Sequence, residues 1–251
     1  MTSLRVSTTA ITHTGLIRSA NEDSYVTRED AGVWMVADGM GGHANGQWAS
    51  TTVVDAVGAA RLSTDFDADV AVLTDAIQLA NERIFTTSQQ QGARMGSTAA
   101  ALYMSGDRFA CIWAGDSRIY LLRDGQLYRM TRDHTQVEEL LERGILTPEE
   151  AAHHPMSHVL SRAVGVEAEL RLDAVSDTAV PRDIFLICSD GLSGVVSESE
   201  ICERLANFPA QSACGRLLDL VLARGAPDNV TFIAVTCEEK TSLTFASAPP
   251  L

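Results

Sequence analysis

Four aspartates stand where apolar runs begin or end. Asp38 follows Trp34-Met35-Val36-Ala37 in WMVADGMGGH, Asp190 follows FLICS, Asp116 follows FACIWAG, and Asp228 sits in GAPDNVT just ahead of VTFIAV. A carboxylate at a strand end is held by a rigid sheet at the edge where loops gather and sites are built. If those ends meet, the carboxylates share one small volume, and they cannot all stay ionised without a cation to neutralise them. Oxygen donors suit hard divalent ions such as Mg2+ or Mn2+. Glycine follows both Asp38 and Asp190. Lacking a Cβ, it permits a tight turn and lets a backbone carbonyl approach an ion. One strand ending in Asp-Gly is ordinarily a turn and nothing more. The recurrence, together with GDSR and PDN, is what points to a metal site.

Other chemistries fail on spacing. Asp65-Phe66-Asp67-Ala68-Asp69 begins like a calcium loop, but Val70 stands where such a loop needs glycine and Ala76 where it needs a bidentate glutamate. It reads as a solvated helix entry. Gly39-Met40-Gly41-Gly42 lacks the lysine of a phosphate loop and the spacing of a dinucleotide fingerprint. His153, His154 and His158 have no HExxH frame and read as surface residues. Gly191-Leu192-Ser193-Gly194 is not a nucleophile elbow. The five cysteines, Cys111, Cys188, Cys202, Cys214 and Cys237, include no CxxC pair and mostly sit in apolar runs. Buried free thiols of a reducing compartment are expected, not a thiolate metal site.

The elements that must position the aspartates are mostly strands. Strands are expected at Leu4 to Thr12, Val33 to Ala37, Ser97 to Met104, Arg108 to Ala114, Arg118 to Arg123, Asp183 to Cys188 and Val230 to Cys237. Asp124-Gly125, between IYLLR and QLYRM, predicts a two-residue hairpin of the type that needs positive φ. Leu73, Ile77, Ala80 and Ile84 recur on one helical face, predicting a helix over Asp69 to Thr86. Further helices are expected at Gln47 to Leu62, Thr135 to Arg143 (stopped by Gly144), Ser199 to Leu205 and Pro209 to Arg224 (capped by Gly225). Hairpin-linked strands with helices gathered early and late describe an α+β fold with antiparallel sheet. The polar, histidine-rich stretch from His134 to Ala163 reads as an inserted flap.

The chain has 251 residues, 45% hydrophobic and 21% charged, with a net charge of −14. That length accommodates one large domain with a real core. The acidic balance argues against nucleic acid or an anionic membrane as partner. No apolar run approaches the roughly 20 residues of a membrane span, and the first residues do not read as a signal peptide, so a cytoplasmic protein is expected; a monomer is expected as well.

Taken together, the segments GLIRSANEDSY, VADGMGGHANG, GSTAA, AGDSRIYLLRDG, MSHVLSRAVG, ICSDGL and APDNVTFIAV resemble, in order, those of the metal-dependent Ser/Thr protein phosphatases of the PP2C (PPM) family in its single-domain bacterial form. The resemblance runs from about Arg5 to Cys237. It implies an α-β-β-α sandwich of two antiparallel sheets flanked by helices, with residues 1–240 as the phosphatase domain and a flap near 134–163; the small, polar, Pro-containing 241–251 reads as a flexible tail. It implies two Mn2+ or Mg2+ ions in the catalytic core and a weaker third. Asp38 then resembles the bridging carboxylate, Gly39 a carbonyl ligand, and Asp190 and Asp228 further ligands. Glu22 resembles an acid acting through water, Asp23 its outer support, and Asp116 the ligand that with Asp190 holds the third ion. Arg18 resembles the arginine that grips the substrate phosphate. The implied reaction is hydrolysis of phosphoserine and phosphothreonine by a metal-activated water, without a phosphoenzyme. The implied partners are phosphorylated proteins and a bacterial Ser/Thr kinase.

One departure stands out. Eukaryotic members carry DGHGG, whose histidine is a candidate acid for the leaving group; here that position is Met40. His43 is near in sequence without an assigned role. Two other readings stay open, a catalytically silent binding module and a phosphatase for small phosphomonoesters.

Overall fold

The computed structural model describes residues 4–42, 44–63, 65–152, 154–156 and 159–240. His43, His153, His158 and the expected tail at 241–251 lie outside them. Two antiparallel sheets form the centre. One joins β1 (Leu4–His13), β11 (Val230–Glu239), β10 (Ile184–Cys188), β7 (Arg118–Arg123) and β8 (Gln126–Arg129) in that order. The other joins β2 (Asp23–Arg28), β3 (Val33–Met40), β5 (Ala99–Ser105), β6 (Arg108–Ala114) and β9 (Asp173–Thr178), with the short β4 (Gly96–Ser97) beside β3.

The continuous apolar runs are explained by burial on both faces. Along β3, Trp34 and Val36 point between the sheets, where they meet Leu102, Phe109, Ile119, Phe185, Ile187 and Ile233. Val33, Met35 and Ala37 point the other way, onto α1 (Ala44–Gly58) and α2 (Phe66–Gln91) through Val53, Leu73 and Ile77. The second sheet repeats this pattern, with Tyr120, Leu186 and Phe232 under α6 (Glu198–Asn207) and α7 (Ala210–Ala223). Each large side chain so enclosed contributes about 1.5–3 kcal/mol. The result is helix, sheet, sheet, helix. Among the described residues no helix is long and apolar enough to cross a membrane, and all five cysteines are free, four of them buried.

Local chemistry sets the boundaries. The hairpin holds Asp124 at φ 51° and Gly125 at φ 77°, the two positive values that its turn type demands. The helix expected over Asp69 to Thr86 extends further in both directions. Asp65 caps it by accepting from the Asp67 and Ala68 amides at 3.1 Å, and Gly92 ends it at φ 61°. The expectation of a solvated entry fails at Asp69. That carboxylate is buried, accepting from Tyr103 Oη at 2.6 Å and from the Ser63 amide at 2.6 Å.

Two strands carry little sequence signal, β2 (DSYVTR) and β9 (DAVSDT). Both are edges of the six-stranded sheet, with two of six residues exposed in β2 and four of six in β9. Between β8 and β9 lie α3 (Gln136–Glu142) and α4 (Pro148–Ala152), and α5 (Asp190–Ser193) follows β10. The segment between β8 and β9 leaves and returns through a Thr135–Leu160 bridge and a Ser161 amide to His134 carbonyl bond of 2.9 Å.

Candidate functional site

The antiparallel registers bring the aspartates to one edge. Asp23, the first residue of β2, pairs directly with Asp38 on β3. The end of β6 pairs with the start of β5 at Ala114 and Ala99, which delivers Asp116 to the same edge. The end of β10 pairs with the start of β11 at Cys188 and Phe232, which brings Asp190 and Asp228 together from the other sheet. Arg18, Glu22, Asp38, Gly39, Asp116, Asp190 and Asp228 all line one open cleft of about 1290 Å3. Asp23 lies behind it, buried.

Asp38 is not the end of its strand. β3 was expected to stop at Ala37, but it runs on to Met40 by changing partner, from β5 as far as Val36 to β4 at Gly39 and Met40. Gly39 therefore makes no turn, and the positive φ values come later, at Gly41 and Gly42. Gly39 is needed for close approach, since a Cβ there would lie 2.1 Å from the Gly46 carbonyl oxygen and 2.7 Å from that of Glu22. Gly191 has the same reason, with a Cβ 1.8 Å from the Asn229 carbonyl oxygen. Asp190 itself opens α5, behind Ser189.

The supports of the aspartates are short side chains. The Asp38 amide donates to Thr98 Oγ1 at 2.9 Å, the Thr98 amide returns a 2.8 Å bond to the Asp38 carbonyl, and Thr98 Oγ1 meets Ser117 Oγ at 2.7 Å. Asn229 clamps the loop ahead of β2. Its Nδ2 donates to the carbonyls of Thr14 (2.7 Å) and Ala20 (2.9 Å), while its Oδ1 accepts from the Glu22 amide at 2.8 Å. Thr98, Ser117, Ser189 and Asn229 were not singled out from sequence. All four lie in segments that the sequence marks, GSTAA, GDSR, ICSDGL and APDNV, but nothing local gives them a role. Arg18 Nη2 reaches Asp228 Oδ2 at 2.7 Å, across the rim of the cleft.

The electrostatics are those of crowded acids. Burial, and then Asp23, Asp190 and Asp116, hold the Asp38 carboxyl well above the usual carboxylate range. Burial, with Asp190 and Asp133 next, pushes Asp116 up to about 7. Burial likewise pushes Asp23 up to about 7, against the pull of the Ser189 and Thr231 hydroxyls and with the push of Asp190 and Asp228. Asp23 Oδ2 accepts from Ser189 Oγ at 2.8 Å, but its buried Oδ1 has no hydrogen-bond partner. An orphaned buried carboxylate oxygen is costly unless something cationic or protic satisfies it. Among the described residues no group of three or more His, Cys, Asp and Glu forms a compact metal cage by itself.

Helices outside, two antiparallel sheets within and a carboxylate cleft at their common edge define the class, and comparison with known proteins agrees. The Protein phosphatase 2C family model matches residues 7–143. The chain is 40% identical over 224 residues to the serine/threonine protein phosphatase PstP of Mycobacterium tuberculosis strain H37Rv, covering 87% of this chain but 42% of that protein, and so spans less than half of that relative's length. It is 38% identical to the solved structure of PppA, a key regulatory component of T6SS in Pseudomonas aeruginosa, with a TM-score of 0.87 over 92% of this chain and 97% of that one. A structure of the PstP catalytic domain in complex with two manganese ions matches at 34% identity and a TM-score of 0.83, over 94% of this chain and all of that one. The chain belongs to the protein phosphatase 2C family.

Proposed function

We propose that the chain is a metal-dependent protein serine/threonine phosphatase, acting on phosphoproteins produced by a bacterial Ser/Thr kinase. The observation that carries this is the meeting of Asp38, Asp116, Asp190 and Asp228 in one cleft with Arg18 at its rim. The donor set fits hard divalent ions. It offers carboxylate oxygens and close-packed glycine backbone in the cleft, backed by a buried unpartnered oxygen on Asp23. Because the described residues form no compact cage, part of each ion's shell would come from water and main-chain carbonyl, as suits Mg2+ and Mn2+.

In this reading two ions would be held by Asp38, the Gly39 carbonyl, Asp190 and Asp228, with Asp38 serving both. Glu22 acts through water, and Asp116 with Asp190 offers a third position. Asp23 supports Asp38 from its cross-strand position. When bound, two such ions supply Lewis-acid charge and a water acidic enough to attack phosphorus at neutral pH. Arg18 uses the guanidinium edge not committed to Asp228 to orient the phosphoryl oxygens and offset their charge. Met40 stands on the cleft wall and has no proton to give. The presence of Asp38, Asp116, Asp190 and Asp228 together in the cleft favours this reading over a silent binding module.

The test is phosphate release from a phosphothreonine peptide, with Mn2+ and with chelator, for the wild type and Asp38→Asn. Mn2+-dependent release that collapses in the variant is expected. A folded, Mn2+-supplied wild type that releases none would overturn the proposal.

A further inference from the structure

Behind the cleft, His134 makes contacts that no step above uses. It lies at the root of the 135–160 segment and is only 6% exposed. Its amide donates to the Gly115 carbonyl at 2.9 Å, and its Nδ1 accepts from the Gly115 amide at 3.1 Å. The ring and backbone of one residue thus close on both polar groups of the glycine preceding Asp116. Gly115 has little freedom to move, since its φ is +107° and a Cβ would lie 2.7 Å from Thr98 Cγ2.

The other ring nitrogen faces the far side. Nε2 is 3.1 Å from Asp173 Oδ2, at the start of β9, and 3.1 Å from Arg162 Nη1. Because Nδ1 accepts, Nε2 carries the proton and gives it to Asp173. Arg162 Nη1, also a donor, is turned to Asp173 Oδ1 at 3.0 Å and to the Arg171 carbonyl. Burial holds the imidazole below its usual range, in keeping with a neutral ring. Trp113 stacks on it with the ring planes 14° apart. The His134 carbonyl accepts from the Ser161 amide at 2.9 Å, so both ends of the 135–160 segment pass through this residue.

We propose that His134 is a positioning residue, locking the loop that carries Asp116 to the neck of the 135–160 segment so that the two hold or yield as one unit. Resting on the phosphatase reading, this makes cation loading beside Asp116 and the setting of the cleft wall a single property. Leu140, Met156 and Val159 of that segment line the same cleft as Asp116.

Two substitutions separate the halves of the lock. In His134→Asn the amide oxygen falls near the position of Nδ1 and keeps an acceptor for Gly115. In His134→Gln the longer side chain reaches toward Asp173 and abandons Gly115. Amide exchange at Gly115 should quicken at least ~10-fold in the Gln variant and stay within about threefold of wild type in the Asn variant. Half-saturating Mn2+, read from a direct binding isotherm, should rise ~10-fold in the Gln variant alone, the scale seen when a ligand's outer support is lost. Its kcat at saturating Mn2+ should remain within about twofold. Equal behaviour of the two variants, or unchanged Gly115 exchange in His134→Gln, would overturn the lock. If neither variant folds, native-state exchange of the wild type decides, since the amides of Gly115, His134 and Ser161 must open with one common free energy, and separate openings would refute it. A wild type that hydrolyses no phosphopeptide would sink the phosphatase reading while leaving the exchange result to judge the lock.

Discussion

Asp23→Asn isolates the electrostatic cost of the crowded site. In the folded chain the Asp23 carboxyl is pushed up to about 7 from an ordinary 3.8. Its folded value lies above its unfolded one, so the stability linked to it is fully present below about pH 4. It is lost as pH rises from there through about 7. At 1.36 kcal/mol per pH unit the loss reaches about 4 kcal/mol by pH 8. That is a ceiling, because Asp38, Asp116 and Asp190 share the same field and the protons belong to the group. Asparagine keeps the shape and an acceptor for Ser189 Oγ but never ionises. With chelator present, Asp23→Asn should be within about 1 kcal/mol of wild type at pH 5 and more stable by about 2 kcal/mol at pH 8. In urea unfolding that is a midpoint rise of about 1 M at pH 8 only, for a slope near 2 kcal/mol/M. Excess Mn2+ should abolish or reverse the advantage, since the cation neutralises the same charge in the wild type. A variant destabilised equally at both pH values would refute the reasoning and make Asp23 an ordinary hydrogen-bond acceptor.

Other perturbations test separate parts of the site. Arg18→Ala should lower kcat/KM on a phosphothreonine peptide roughly 10–100-fold, the worth of a lost charge-assisted hydrogen bond, while Mn2+ binding in an isotherm is not weakened. Gly191→Ala, whose Cβ would lie 1.8 Å from the Asn229 carbonyl oxygen, should cost about 2 kcal/mol or more in urea unfolding. Asn229→Ala removes three hydrogen bonds around Thr14, Ala20 and Glu22 and should cost about 2–3 kcal/mol, with a higher Mn2+ requirement for peptide hydrolysis. Tyr103→Phe leaves the buried Asp69 short of a donor and should cost about 1–3 kcal/mol without changing that Mn2+ requirement.

The sequence carried strong signals where local chemistry and burial coincide. The Asp124-Gly125 hairpin needs positive φ at two residues, and the runs of β6 and β7 are enclosed on both faces, so their limits match the expected ones at Arg108–Ala114 and Arg118–Arg123. The edge strands β2 and β9 gave no such signal, because half their residues face water. The aspartates were visible because a carboxylate beside an apolar run is a break in pattern. What they lean on was not. Thr98, Ser117 and Ser189 look like any small polar residue until the registers set them beside Asp38 and Asp23. The glycines misled in a specific way. Gly39 and Gly191 suggested tight turns and a carbonyl presented to an ion, but the constraint the structure gives at each is a carbonyl packed against its Cα from elsewhere in the chain. His134 was hidden in a polar stretch for the same reason. Its partners, Gly115, Arg162 and Asp173, are 19, 28 and 39 residues away.

The cleft draws on both sheets, and this bears on stability as well as function. Glu22, Asp23, Asp38 and Asp116 belong to the six-stranded sheet and its loops, while Asp190 and Asp228 flank strands of the five-stranded sheet. Away from the cleft the seam between the sheets is apolar, with a Trp34 Nε1 to Thr8 Oγ1 bond of 2.9 Å as one polar bridge. At the cleft, the Ser189 to Asp23 bond crosses the seam beside carboxylates that repel one another. The apolar packing therefore holds the acids together against their own field, and the edge where they meet gains least from it. A cation bound between Asp38 and Asp190 would reverse the sign of that edge, turning repulsion between the sheets into a tie. Loss of the ion should accordingly loosen the strand ends around the cleft before the seam at Trp34 and Phe185. Amide exchange followed with Mn2+ and with chelator would register this as an early rise at Asp38, Ser189 and Asn229, with the amides of Val36 and Ile187 unchanged.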